Sequence, residues 1–401
     1  MISASTATRV VTPSTEGVLD DLKCTALVLE IDGSTLVLCD VEILLVTAEI
    51  AQDVKDRLQA AYGVDPDLVT IAATHTHAGP EMRSERLPVD EETSDDSFWE
   101  EYEKFLKDVI YKTISDCFEK GLTPVQAIYR TVEIEGVYGN RNGIGKPEDK
   151  DVTLIEFHGK GGVQGAIVNI SCHPTVLGAQ NLQISGDLLG YISRGVKERV
   201  GVFPVMMQGA SGDMSNRNYR LGHDAAELRR SGEAILEQLF ASSQMEPLHL
   251  QQPQVEKYNY HETYRLDTEA LSTLRQQLVA QIEAETEYDK HKMLQSSLYA
   301  VDVKLKNPEI EANFDATILR VGDVEICKHA GEMFSRFGKQ IKAASKARLP
   351  LIWGYCGGYS GYMADKDEYG VTYESLMSPL PKGATEKITQ DLSDLIAGEK
   401  E

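Results

Sequence analysis

What this chain of 401 residues lacks narrows the possibilities quickly. No apolar run is long enough to span a bilayer, and the opening MISASTATRVVTPSTEG carries no apolar segment of the kind that directs export. The expectation is a cytoplasmic protein with no stable membrane insertion. Cysteine is sparse and scattered at Cys24, Cys39, Cys117, Cys172, Cys327 and Cys356, with no CxxC pair. That spacing fits reduced core thiols inside strand-like runs, not a disulfide framework. Basic residues are outnumbered, 40 Lys plus Arg against 63 Asp plus Glu, for a net charge of -23. A field of that sign repels phosphate backbones and anionic bilayers, so nucleic acid is excluded as a partner. A phosphate loop is missing too. Gly159-Lys160-Gly161-Gly162 lacks the Gly-Lys-Ser/Thr ending, lies between two strand-like runs, and reads as a hairpin turn.

What is present centres on Leu68 to Pro80, LVTIAATHTHAGP. Val69, Thr70 and Ile71 begin a buried strand that opens into Thr74-His75-Thr76-His77 before a Gly-Pro turn. Residues two apart on an extended chain point the same way, so His75 and His77 can converge on one point, such as a metal. A short HxH is equally at home in a polar loop; repetition elsewhere in the chain is what gives it weight.

Read in order, residues 8–46 give strands around an Asp32-Gly33 hairpin signal. A helix follows from about Ala48 to Tyr62, with Ile50, Val54, Leu58 and Ala61 on one face and Gly63 as its stop. An acidic loop, Glu81 to Asp96, leads to a helix near Ser97, whose spacing to Glu100 fits a capping box and whose apolar side holds Phe98, Tyr102, Phe105, Ile110 and Ile114. TPVQAIYRTVEIEGVYGNRNGIG reads as a strand pair ending at Asn140-Arg141-Asn142-Gly143. A second strand-helix-strand unit runs from AIVNISCHPTVLG through the helix after Ser185-Gly186-Asp187 to VFPVMMQGASGDMSN. A third runs from VEICKHAGE through MFSRFGKQIKAAS to PLIWGYCGGYSGYM. Residues 260–300 read as a charged helical insertion with a stripe at Leu271, Leu274, Leu278 and Ile282. The tail after Leu380 reads as a surface helix that frays. The expected fold is α/β: a mixed β-sheet core of repeated strand-helix-strand units with flanking helices, the active site at the strand carboxyl ends. Residues 1–401 are expected to form a single catalytic domain. Past those strand ends lie His75, His77, His173, Glu332, Tyr359, Tyr362, Arg141, Asp40, Asp187 and Asp213. Singly, each has a plain explanation as a cap, turn or packing residue; together they point to a site.

The ordered set His75-Thr-His77-Ala-Gly-Pro, Cys172-His173-Pro, Ser185-Gly-Asp187, Gly212-Asp213-Met-Ser215, Gly331-Glu332 and Tyr359-Ser-Gly-Tyr362 resembles the neutral/alkaline, non-lysosomal ceramidase family. The opening TATRVVTP is similar to that family's first strand. The resemblance implies a zinc-dependent amidase that cleaves the N-acyl bond of ceramide. It implies His75, His173, Glu332 and Tyr362 as the zinc shell, and His77, Arg141 and Tyr373 as the groups around the scissile amide. The chain departs from the family where Asn-Arg-Ser-Pro becomes Asn140-Arg141-Asn142-Gly143 and where Gly357 stands in place of an asparagine. It also has neither the secretion signal nor the C-terminal immunoglobulin-like domain of animal and bacterial members, so the expectation is a catalytic domain alone, acting on a lipid amide or a smaller soluble amide. A homo-oligomer is compatible with the sequence.

The chemistry is coherent apart from the family. Two imidazoles and a carboxylate are a hydrolytic zinc's protein ligands, leaving a place for water. Other readings are a metal-dependent esterase, lactonase or phosphoesterase with a second metal on Asp40, Asp187 or Asp213, and a non-catalytic binding protein on the same scaffold. An amidohydrolase-type barrel shares an early HxH but needs more evenly repeated units.

Overall fold

The computed structural model describes residues 1–80 and 96–398. All three strand-helix-strand units form, each closing on a parallel strand pair. In the first, Ser34–Val41 and Val69–Ala73 flank the helix Ala48–Tyr62. In the second, Gly162–Ile170 and Val205–Gln208 flank Asp187–Val200. In the third, Val324–His329 and Leu349–Trp353 flank Ser335–Ala344. Local chemistry sets the boundaries. Asp32 and Gly33 both take positive φ, 50° and 88°, as a two-residue hairpin turn requires. Thr47 caps the first helix by accepting from the Ile50 N–H, and Gly63, at φ 68°, ends it. Lys160-Gly161 is the tip of a hairpin, not a phosphate loop.

The units do not share one sheet. The first two lie in a nine-stranded mixed sheet with the order Val69–Ala73, Ser34–Val41, Lys23–Ile31, Ile2–Val10, Thr123–Glu133, Asp151–Gly159, Gly162–Ile170, Val205–Gln208; Glu246–Leu248 pairs beside Thr123–Glu133. The third lies in a separate four-stranded sheet with Gln254–Arg265 and Glu309–Val321. Strand alternation makes the two sheets face each other. Leu27, Leu29, Leu36 and Leu38 from the large sheet share one core with Leu319, Ile326, Leu351 and Trp353 from the small one. The intervening positions Ala26, Val28, Val37 and Cys39 turn outward under the helices Ala48–Tyr62 and Asp96–Lys120. The helices Asp187–Val200 and Ala225–Leu239 cover the rest of that face. On the far side, Ser335–Ala344 and Ala384–Ala397 cover the small sheet, giving four layers, helix-sheet-sheet-helix.

Several expectations need correction. The insertion at 260–300 opens as strand, because Gln254–Arg265 extends to Arg265; the helical pair is Thr268–Ala284 and Tyr288–Lys306, set at the tip of a long hairpin. The tail is not a fraying helix: Ile388, Leu392 and Ile396 of Ala384–Ala397 are buried in the fourth core. Phe98 and Phe105 are exposed, Leu106 taking the inward position with Tyr102, Ile110 and Ile114, and Ala61 is likewise outside. The strand pair after residue 123 is one long strand, Thr123–Glu133, followed by the two-residue Gly139–Asn140, which pairs with Met214–Ser215. The helix expected at Ser97 starts at Asp96, and the acidic loop before it lies outside the described residues. All six cysteines are free, as their spacing implies.

Glu42, just past the first unit's first strand, is fully buried, with Oε2 accepting from the Lys23 N–H at 3.0 Å. Burial pushes its carboxyl from 4.5 up to about 7, against the opposing pull of Arg194. A carboxyl raised by folding stabilises fully below its unfolded pKa, and that contribution disappears as pH rises through the folded value. Glu42→Gln is therefore expected to gain roughly 2–3 kcal/mol in urea unfolding at about pH 8 and nothing near pH 4. Equal stability of the two proteins at both pH values contradicts this reading.

Candidate metal centre

The loop after Leu349–Trp353 sews the three units together at their carboxyl ends. Gly354 N–H donates to Gln208 O of the second unit at 2.8 Å. Ala73 N–H of the first donates to Tyr355 O at 3.1 Å, and Cys356 N–H donates to His329 O of the third at 3.0 Å. Gly212 approaches so closely that a Cβ there would lie 2.5 Å from Glu332 O, and its own N–H donates to Met333 O. Only glycine fits.

Onto this seam the sequence's candidates converge. His75 follows Val69–Ala73, His173 follows Gly162–Ile170, and Glu332 follows Val324–His329. Glu332 Oε2 lies 2.9 Å from His173 Nε2 and 3.5 Å from His75 Nε2. His77 Nε2 lies 3.3 Å from His75 Nε2. The ring nitrogens of His75, His77 and His173 all fall within 4.8 Å of one another. His75, His173 and Glu332 are buried, while His77 is exposed although protein surrounds it closely enough to disfavour its charged form.

The second nitrogen of each buried imidazole fixes its tautomer. His75 Nδ1 donates to Leu44 O at 2.8 Å and His173 Nδ1 to Ser211 O at 2.6 Å, because a carbonyl can only accept. Burial and Arg141 lower His173 to about 4, so it is neutral near pH 7. Its Nε2 is then a lone pair, and it faces the Glu332 carboxylate beside His75 Nε2. Burial by itself would raise Glu332, but His75 and His173 outweigh it and hold the group well below the usual carboxylate range. Two imidazole nitrogens, each turned inward by a backbone carbonyl behind its ring, thus meet one carboxylate oxygen at 2.9 and 3.5 Å. The donor set fits zinc: two imidazoles and a carboxylate, each imidazole oriented by a backbone carbonyl.

Around this core stand four tyrosines. Tyr359 Oη donates to Glu332 Oε1 at 2.5 Å, and burial keeps that phenol well above its usual pKa, hence a donor. Tyr355 stacks on His75 at 4.2 Å between ring centroids and exchanges a hydrogen bond with Ser211 Oγ at 3.0 Å. Tyr362 accepts from Arg141 Nη2 at 3.2 Å and is itself a neutral phenol, raised well above its usual value by burial and Glu332. Tyr373 packs edge-on against Tyr362, ring centroids 6.1 Å apart. Arg141 also donates from Nε to Glu374 Oε1 at 2.8 Å and from Nη2 to Gly212 O at 2.8 Å. Sequence reading missed Tyr355, Ser211 and Glu374. Tyr355 and His75 hold left-handed φ of 59° and 68°, a conformation non-glycine residues reach at a cost of order 1–3 kcal/mol.

The other candidates stand apart. Asp213 accepts from Ser335 N–H, Ser335 Oγ–H and Asn140 Nδ2–H, fixing the start of the third helix. Asp187 accepts from the N–H groups of Val176, Leu177 and Leu188, holding the loop after His173. Asp40 accepts from the Met206 N–H at 3.1 Å. Among the described residues these carboxylates join no group of three metal-ligating side chains, and each is engaged by the donors just named.

No protein-family model matches the chain, and no curated protein sequence does. Solved structures do share its fold. A crystal structure of neutral ceramidase from Pseudomonas aeruginosa superimposes with a TM-score of 0.70 at 19% identity, covering 99% of this chain and 75% of that one. A ceramidase complexed with C2 gives a TM-score of 0.71 at 18% identity, again over 99% of this chain and 75% of that one. The fold is ceramidase-like, and among the described residues no helix is long and apolar enough to cross a membrane.

Proposed function

We propose that this protein is a zinc-dependent hydrolase of linear N-acyl bonds, and that residues from His75 to Tyr373 act as one catalytic unit. The observation that carries the reading is the meeting of His75 Nε2, His173 Nε2 and a Glu332 oxygen in one buried cluster, each ring turned inward by a backbone carbonyl. Bound there, zinc supplies Lewis acidity and acidifies water to a pKa of about 7. Glu332 is steadied as a ligand by Tyr359, and Tyr362 stands beside it. Arg141, held charged by Glu374 and Tyr362 against burial, offers a fixed positive charge to an acyl oxygen. Tyr373, a phenol raised to about 12, offers a second donor. Surrounding protein and the neighbouring imidazoles lower His77, so it is neutral near pH 7 and can take a proton. It carries the proton from the attacking water to the leaving nitrogen; the water oxygen joins the acyl carbon as the C–N bond breaks.

Ile144, Leu182, Leu221 and Val371 are each at least 80% exposed and stand on the loops that carry the site residues. They offer apolar surface to an acyl chain, which the charge of residues 260–300 does not announce. The test is a panel from long-chain ceramide to short N-acyl amines and amino acids, with phosphate esters and lactones as controls, with and without zinc. Zinc-dependent amine release is expected from at least one N-acyl compound, soluble ones included. Hydrolysis confined to phosphate esters or lactones overturns the reading. His77→Ala should keep the metal and lose roughly 10²- to 10⁴-fold in kcat; loss of the metal instead would make His77 a ligand.

A further inference from the structure

Behind the metal centre the two-sheet core ends in a polar cavity of about 300 Å³. Its walls come from inward-facing strand positions. Val324, Ile326 and Lys328 share the inner face of the small sheet, as do Thr317, Leu319 and Val321, while Thr70 faces them from the edge strand Val69–Ala73. The pattern that supplies apolar residues to the core thus delivers a lysine to its rim. Lys328 is 6% exposed, and among the described residues its ammonium has one hydrogen-bond partner, Thr70 Oγ1 at 3.0 Å. Lys55, from the helix Ala48–Tyr62, lines the same cavity. Among the described residues neither lysine has a carboxylate oxygen within 4.0 Å. The nearby Asp67 pairs with Lys257 at 2.7 Å, and Asp315, also on the wall, accepts from Asn259 Nδ2 at 2.6 Å.

A buried ammonium with a hydroxyl as its partner is unfavourable, and the half-buried Lys55 brings a second positive charge to the same cavity in a chain of net charge -23. Burial lowers both, Lys328 to about 8. We propose that the cavity binds a small oxyanion, phosphate or a short carboxylate, through the Lys328 and Lys55 ammonium groups and the Thr70 hydroxyl. The site shares a wall with the metal centre. Cys356 to Ser360 line it, and Tyr359 on that wall donates to Glu332. An occupant therefore braces the loop that carries the tyrosines.

The test is thermal unfolding of the metal-loaded protein at constant ionic strength, with chloride exchanged for inorganic phosphate in one arm and acetate in another. Wild type is compared with Lys328→Met and Lys55→Met. A saturable rise in Tm is expected with phosphate, acetate or both, the arms identifying which anion is preferred. Lys328→Met should weaken the apparent affinity at least about tenfold, the loss of one charge-assisted hydrogen bond. Its Tm without anion should match or exceed wild type, since an under-partnered buried charge is gone. Phosphate can also meet the metal, so the informative part of the shift is the part Lys328→Met removes. Amine-directed labelling of wild type, read by mass spectrometry, supplies a check that needs no variant: phosphate or acetate should protect Lys328. Identical shifts in wild type and Lys328→Met, or labelling of Lys328 unchanged at saturating anion, overturn the proposal. Neither readout uses hydrolysis, so failure here leaves the catalytic reading separately testable.

Discussion

His173→Ala and His75→Ala are each expected to lose the bound metal and with it all zinc-dependent hydrolysis. Either change leaves one imidazole and one carboxylate, and two ligands do not make a hydrolytic zinc site. The effect should exceed that of His77→Ala, because it removes the ion instead of a proton carrier. The fold should survive in both, since among the described residues each ring's hydrogen bond outside the cluster goes to a single backbone carbonyl. Zinc per chain by elemental analysis, beside a circular dichroism spectrum, separates loss of the ion from loss of structure. A variant that retains one zinc per chain removes that histidine from the ligand set.

The second large effect is at Glu374, a residue with no chemistry of its own in this account. Its carboxylate and the Arg141 guanidinium are 3% and 6% exposed and meet at 2.8 Å. Glu374→Ala strands a buried cation, a change worth roughly 3–5 kcal/mol of stability. Glu374→Gln, which keeps a hydrogen-bond acceptor, should lose less. Because Arg141 Nη2 also holds Tyr362 and Gly212 O, loss of its anchor should depress kcat as well as stability. Chemical denaturation and steady-state kinetics on the same preparations check both halves. Wild-type stability in Glu374→Ala would mean that the arginine finds water or another partner.

Both of these sites were unequally visible in the sequence. His75, His173 and Glu332 announce themselves because a strand ending in a ligand-type side chain, followed by a helix, has a short-range pattern of apolar residues and stops. The helix Ala48–Tyr62 is legible to the residue because its end is set by Gly63. Glu374 has no such signal: its partner is 233 positions away. Tyr355 is hidden differently, since its value to the site is a left-handed backbone that seats its ring on His75. The division into two sheets is also illegible. Gln254–Arg265 and Glu309–Val321 pair across a helical hairpin, and the inner face they help to build turns polar at Asn313, Asp315 and Thr317. The C-terminal helix looks like a surface helix because Thr385, Thr389 and Ser393 share its buried face with Ile388, Leu392 and Ile396. A single sequence cannot show that the small sheet waits to cover them.

The central claim is that a cation belongs between His75, His173 and Glu332. Its most direct test is anomalous diffraction at the zinc edge from crystals of the zinc-loaded protein. The account predicts one strong peak per chain at bonding distance, about 2.0–2.2 Å, from His75 Nε2, His173 Nε2 and a Glu332 oxygen. A peak held by other residues, or none at the cluster while hydrolysis persists, would contradict it.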